Sequence, residues 1–394
     1  MKPTRTLPTP DEPAQLHSEQ LSQRIRQQLK RKGTLTFAEY MQMALYTPGL
    51  GYYANSLPKI GAQGDFITAP EVSPLFSKCI ARQAKQVLST LDQPNLVEFG
   101  AGRGTMAKHI LLELDAQAQS IENYYILELS ADLKQRQQET LRELPDHLYD
   151  KIVWLDRLPK QPIEAVFLAN EVLDAMPVER LKLEPHQSLQ AMVIYDEQQQ
   201  QFNWNYHPIT DRFLQRFCNG LLDAIGEPSP EGYETEINLN IRPWLKSVFE
   251  AMEKGLLLLI DYGYTRKEFY QPARVMGTLR CHYQHLAHSN PFFYPGLQDI
   301  TAHVDFTAVA ESGFDVGFKI AGFSTQAHFL MSSGLLELAD SDNLDITESL
   351  KTAQQIKTLT LPDEMGETFK VIALTKKTDI PLMGFQLRDL RHQL

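Results

Sequence analysis

Cysteine is scarce in this chain. Cys79, Cys218 and Cys281 are the only three in 394 residues, too few and too scattered for a disulfide framework, which points to a reducing compartment and to no redox role. Basic residues are in deficit as well: 38 Lys and Arg against 49 Asp and Glu leave a net charge of −11. A general nucleic-acid or anionic-membrane surface is excluded on that account, because phosphates would meet a repulsive field, and basic partners suit the chain better. Apolar runs stay far below the roughly 18 residues of a membrane span; "LLLLI" at 256–260 suits a buried strand instead. The first residues, "MKPTRTLPTPDEPAQ", have no apolar stretch of the secretory kind and carry acids early, unlike a transit segment. The chain reads as a cytoplasmic bacterial protein, or one of the mitochondrial matrix if eukaryotic. With 43% apolar residues it can bury a full core and form two or three domains.

Residues 1–15 read as a disordered lead-in. Residues 16–94 read as a helical cap and covering loop. Leu21, Ile25, Leu29, then Phe37, Tyr40, Met41, Ala44 and Leu45 recur at helical spacing, and Gly33 breaks them into two helices that form a lid. The stretch 46–74 is dense in glycine and proline and reads as an ordered loop, after which 76–91 returns to helix. From "NLVEFG" onward, short apolar strands alternate with helices at 104–118 and 131–144 through "YYILELS", "KIVWLD" and "EAVFLAN", the signature of a parallel α/β sheet. Residues 95–179 and 246–394 are assigned to this core. Between them, 180–245 reads as an inserted hairpin and helical region, with glutamines 198–201 at a hairpin tip. The sheet resumes at 255–263 and ends with "FKIAGFSTQ" and "TFKVIALTK", separated by a helix over about 327–339.

"VEFGAGRGTM" (97–106) places Gly100, Gly102 and Gly104 at every second position after a strand, where backbone can approach a ligand that a Cβ would exclude. The spacing is not the dinucleotide G-x-G-x-x-G, and no Lys-Ser/Thr follows as in a P-loop. Glu98 at the strand end would repel a pyrophosphate but attract the ammonium of S-adenosylmethionine, a cationic ligand without phosphates. Glu128, at the end of the next strand, can accept both ribose hydroxyls, and Asp156, after the third, the adenine amino group. Helix capping or plain solvation is the alternative for both.

The fourth strand runs out into "NEVLDAMP", so Asn170, Glu171 and Asp174 emerge at the carboxyl edge of the sheet, and Pro177 stops any helix they begin. Methyl transfer from a sulfonium needs orientation and a lone pair on the acceptor. Glu171 and Asp174 could clamp the planar fork of an arginine or could cap a helix; the residues alone leave both open. Cys281, His282, His285 and His288 lie within one short stretch with no distant partner, so no metal is expected. His303 and Asp305 follow a Gly/Pro loop and are candidates for acid–base or substrate contacts, a structural histidine being the alternative for His303.

The segments "GYYANSLPKIGAQGDFITAPEVSPLF", "EFGAGRGTMAKHIL", "ANEVLDAMPVERL", "IDYGY", "GTLRCHYQH", "PGLQDITAHVDF" and "STQAHFLMSSGL" occur in this order and resemble the MidA-type family over about residues 35–375. These are class I S-adenosylmethionine-dependent methyltransferases, and they include a mitochondrial complex I assembly factor that methylates protein arginine symmetrically. The resemblance implies a Rossmann-like seven-strand α/β sheet with an N-terminal helical cap and an inserted β region. It also implies a cofactor site of Gly64, Asp65, Phe66 and Thr68 in a closing loop, Glu98, Gly100, Ala101, Gly102, Gly104 and Thr105 at the glycine turn, and Glu128, Leu129, Asp156 and Asn170, with Arg103 compatible with the family's "GAGRGT". Asn170, Glu171 and Asp174 would form the acceptor wall, and His303 and Asp305 complete the catalytic candidates. The partner expected is a protein presenting an arginine, with neither nucleic acid nor membrane insertion involved; oligomeric state is open, a homodimer included. A small amine or carboxylate as acceptor, or a non-enzymatic S-adenosylmethionine-binding assembly factor, are the competing readings.

Overall fold

Leu256 to Ile260 are buried to within 3% of their surface, and around them the chain builds its largest sheet. The computed structural model describes residues 7–55, 68–226, 232–340 and 345–394. In these the chain forms two compact units, one of residues Ile67–Asp174, Ile241–Arg266 and Val304–Leu394, the other of Met1–Phe66, Ala175–Asn240 and Lys267–His303.

In the first unit the core strands, in chain order, are Asn95–Phe99, Tyr124–Leu127, Ile152–Leu155, Ile163–Asn170, Met252–Tyr264, Lys319–Thr325 and Phe369–Lys376. Calling these first to seventh, the spatial order is third, second, first, fourth, fifth, seventh, sixth. The first five pair in parallel and the seventh is antiparallel to both neighbours. This is the seven-strand sheet expected, with a two-residue strand, Val304–Asp305, added beside the fifth. Strands buried on both faces read as unbroken apolar runs, which is why "LLLLI" and "AVFLA" could be placed directly. Helices Pro74–Leu88 and Thr105–Ala116 share one apolar cluster with this sheet, Phe76, Ile80 and Val87 meeting Ile110, Leu114, Leu96, Val166 and Leu258. Each such side chain is worth about 1.5–3 kcal/mol of burial.

In the second unit, helix Glu12–Lys32 starts at Asp11, whose carboxylate accepts from Ala14 N at 3.0 Å, and stops at Gly33, φ 83°. Its start lies inside the stretch read as a lead-in. Helix Phe37–Tyr46 begins with a capping box: Thr36 Oγ1 accepts from Glu39 N, and Glu39 Oε2 from Thr36 N. Strand Gln187–Asp196 pairs antiparallel with Gln201–Pro208, so glutamines 198–200 lie in the turn, and on its other edge it meets Glu179–Glu184 and Leu35–Thr36. Strand Tyr233–Ile237 completes that sheet. The histidine-rich stretch is a small sheet as well, Arg280–Tyr283 between Leu286–His288 and Asp299–Thr301, with Cys281 opposite His288. Cys281, Ile300 and Ala302 pack with Leu21, Phe37 and Tyr40 of the helices. That shared apolar cluster is why 267–303 falls in this unit rather than in the sheet unit to which its place in the chain assigned it, and the packing of Pro74–Leu88 on the large sheet likewise draws it away from the cap.

Candidate active site

Sheet register decides what stands beside what. Leu127, Phe99 and Ala169 lie level across strands two, one and four, and Leu259 lies level with Ala169 on strand five. The next residues form one row along the carboxyl edge: Glu128, Gly100, Asn170 and Ile260. Gly100 N donates to Leu127 O at 3.1 Å, Glu128 N to Leu155 O at 3.1 Å, and Glu171 N to Ile260 O at 2.9 Å, which carries the row one step further on each side. Strand order reverses between the first and fourth strands, and ligands of open α/β sheets bind at such a switch point. The glycine turn and the Asn170 segment flank it.

Gly100, Gly102 and Gly104 all take left-handed conformations, at φ 60°, 54° and 86°. An alternating series of this kind is costly for any residue with a Cβ, so the spacing read from the sequence is the backbone's own requirement. Gly104 is also the N-cap of Thr105–Ala116, with its N–H given to Ala101 O at 2.7 Å. The Thr105 hydroxyl donates to Glu71, on the short helix Ala69–Val72 whose N-cap is Thr68.

Glu128 is half-buried and held at both oxygens: Oε1 accepts from Ser130 N at 2.8 Å, Oε2 from Gln137 Nε2 at 2.9 Å. It does not cap the following helix, since Ser130 Oγ does so by accepting from Leu133 N. Leu129 beside it is 78% exposed. Asp156 is not held in this way: its side chain is 90% exposed and pairs with Arg157 Nε at 4.0 Å.

Glu98 differs from its sequence reading. It is buried inside the sheet and accepts from the Tyr124 hydroxyl at 2.7 Å. Burial lifts its carboxyl to about 7, against the Tyr124 hydrogen bond that lowers it and with the charge of Glu128 adding to the rise. A group near half-protonation at neutral pH is a poor fixed counter-ion for an ammonium.

At the acceptor side, residues 171–176 form bends and a turn and no helix, which removes the capping alternative for Glu171 and Asp174. Glu171 takes φ 53°, an unusual conformation for a non-glycine residue. Asn170 Nδ2 donates to Glu171 Oε1 at 2.9 Å, while the buried Asn170 Oδ1 has no hydrogen-bond partner among the described residues. Two residues here escaped the sequence reading. Asp261 lies three residues before the end of the fifth strand, with its Oδ2 accepting from Leu173 N at 2.9 Å and Asp174 N at 3.2 Å, and its Oδ1 from Tyr262 N at 2.9 Å. The Tyr262 hydroxyl donates to Asp174 Oδ2. Burial, then the charges of Asp174 and Glu171, push Asp261 well above the usual carboxylate range. The signal was present: an acid directly after five apolar residues.

Asp305 and His303 belong to different units of the fold. Asp305 Oδ1 accepts from Ala308 N at 3.1 Å as the N-cap of helix Phe306–Val316, and Oδ2 meets Arg266 Nε at 3.4 Å. His303 is the last residue of the other unit, half-buried, with its N–H given to Thr278 Oγ1 at 3.2 Å. Gly64, Asp65 and Phe66 lie outside the described residues.

The arrangement fits an adenosine-bearing ligand with an amino-acid tail: a left-handed glycine cradle, a carboxylate held at both oxygens, and at Asn170 Oδ1 a buried acceptor without a partner among the described residues. A family model of S-adenosyl-L-methionine-dependent methyltransferases matches residues 79–324. A crystal structure from Burkholderia thailandensis, bound to S-adenosyl-homocysteine, is 36% identical with a TM-score of 0.93, covering 99% of this chain and 100% of that one. Among curated relatives, the mitochondrial protein arginine methyltransferase NDUFAF7 homolog of Drosophila melanogaster is 28% identical over 95% of this chain and 89% of its own length. The Rattus norvegicus protein arginine methyltransferase NDUFAF7 is 27% identical over 92% and 86%.

Proposed function

Because the chain belongs to the S-adenosyl-L-methionine-dependent methyltransferases, with S-adenosyl-L-methionine as its methyl donor, we propose that it places the methyl group on an arginine of a protein substrate. The observation that carries this reading is the cluster of Glu171, Asp174 and Asp261 at the ends of the fourth and fifth strands. Burial, and after it the charges of Asp174 and Glu171, already raise Asp261. A guanidinium entering beside them offsets those charges, whereas a carboxylate acceptor would add to them. The names of the curated relatives, which are protein arginine methyltransferases of mitochondria, agree with this choice of acceptor.

When bound, the cofactor supplies an electrophilic methyl on a sulfonium. In this reading Glu128 takes the ribose hydroxyls, the glycine turn lets backbone close on the amino-acid tail, and Leu129 covers the adenine. Asn170 Oδ1 accepts from the ammonium, the role first given to Glu98. Glu171 holds the guanidinium through its N–H groups, and the Asn170 amide fixes the Glu171 carboxylate. Asp174, tied to Tyr262, completes the wall. The attacking nitrogen forms the N–CH3 bond as the S–CH3 bond breaks, and the nitrogen's proton passes to the carboxylate cluster. The chain would act in the bacterial cytoplasm on a basic protein.

The test uses Glu171→Gln, methyl-labelled cofactor and a lysate of cells lacking the protein. The wild type is expected to label arginine in protein, and the variant to lose that labelling by about 100-fold or more while binding S-adenosyl-homocysteine as before. Label confined to small molecules, or equal arginine labelling by the variant, overturns the reading.

A further inference from the structure

The cofactor contacts above leave unexplained a glutamine with no exposed surface in the middle of a helix. Gln137, in Ala131–Leu141, is 0% exposed, and both ends of its amide are spoken for. Its Oε1 accepts from Trp154 Nε1 at 3.0 Å, and its Nε2 donates to Glu128 Oε2 at 2.9 Å and to Gly102 O at 3.1 Å. An indole N–H can only donate, and a carboxylate and a carbonyl can only accept, so the amide has one orientation and no alternative flip. The helix reaches these partners because it seats on the glycine turn, where a Cβ at Gly104 would stand 3.4 Å from Gln137 Cα.

We propose that Gln137 is the positioning residue for the adenosine half of the cofactor, acting through Glu128 and the Gly102 carbonyl. One amide ties together three strand ends: the glycine turn after the first, the acid after the second, and Trp154 within the third. With Ser130 N on the other oxygen, the Glu128 carboxylate is fixed before ligand arrives. An unanchored glutamate would have to be ordered by the ligand. The inference rests on Glu128 being the ribose acid.

The experiment measures binding of S-adenosyl-homocysteine and its 2′-deoxy analogue by calorimetry to the full-length protein. The wild type is expected to prefer the ribose form by about 10-fold or more. Gln137→Met, similar in size and without hydrogen bonds, is expected to lose about 10-fold in affinity for the ribose form and to bind both forms nearly alike, with KM for the cofactor rising more than kcat falls. Gln137→Glu sets a carboxylate against Glu128; its binding is expected to be lost near about pH 8 and regained near about pH 5, where a shared proton restores the donor. This variant, compared with itself at two pH values, serves if the methionine variant folds poorly. An unchanged preference in Gln137→Met, or pH-independent binding by Gln137→Glu, overturns the positioning role and leaves Glu128 its diol. A wild type indifferent to the 2′-hydroxyl overturns both.

Discussion

A carboxyl group sealed from water holds its proton to higher pH, and Glu98 does so inside the first core strand. Its ordinary value is 4.5 and burial lifts it to about 7. Across that window the folded chain keeps a proton that the unfolded chain has released, so stability falls as pH rises and levels off above about 7, the total being on the order of 3 kcal/mol. Glu98→Gln, still able to accept from Tyr124, should therefore match the parent near about pH 4 and exceed it near about pH 8 in urea unfolding of the cofactor-free protein. Glu171 carries a different kind of cost. Its φ of 53° is left-handed, so Glu171→Gly should stabilise by about 1 kcal/mol and at the same time lose methyl transfer; a variant that gained neither stability nor a defect would remove the strain argument. At this scale the legible mark was an acid closing an apolar run, as at Glu128 and Glu171, which stand at the carboxyl edge of the sheet. Asp156 carries the same mark, yet its side chain is 90% exposed and paired with its neighbour Arg157. Gln137 is the opposite case: a polar residue within a helix carries no pattern that reveals three partners remote in sequence.

Whole elements were read best where burial writes a periodicity. The strands of the large sheet and the helices broken at Gly33 came through because one face, or both, is apolar. Helix Ile346–Thr360 did not, and the reason is visible: Leu359 is its only buried residue while Ile346 and Leu350 stand exposed, leaving no clear apolar stripe to detect. The His282–His288 stretch, for which no metal was expected, is a pair of antiparallel strands, with burial holding His288 down at about 4. Asp305 is the instructive case of a candidate catalytic acid that the fold uses as a helix cap. Asp305→Ala should destabilise the protein by about 1–2 kcal/mol through lost capping of Phe306–Val316, leaving the affinity for S-adenosyl-homocysteine unaltered; calorimetry and denaturant melts on one preparation separate the two effects. A tenfold loss of cofactor binding would return Asp305 to the site.

For the molecule as a whole, the charge of −11 would act on the basic substrate proposed above before any contact forms. Steering of this kind is screened as the Debye length shrinks from about 10 Å at 0.1 M salt to about 3 Å at 1 M. KM for an arginine-rich peptide should therefore climb steeply with salt while kcat moves little, and a flat KM would mean that recognition is made only in contact. The division into units was the least legible property, because each unit is assembled from three separated stretches of chain and composition changes little across their limits. The seventh strand adds a consequence for how the protein is made. Phe369–Lys376 lies between the fifth and sixth strands, running against both. A ribosome delivers Lys319–Thr325 well before the strand that links it to the sheet, so the sixth strand must wait, and the fifth keeps the edge of Leu256 to Ile260 without this partner until Phe369–Lys376 has been made. A chain cut short anywhere before residue 369 thus ends life as an open edge, a template for its neighbours.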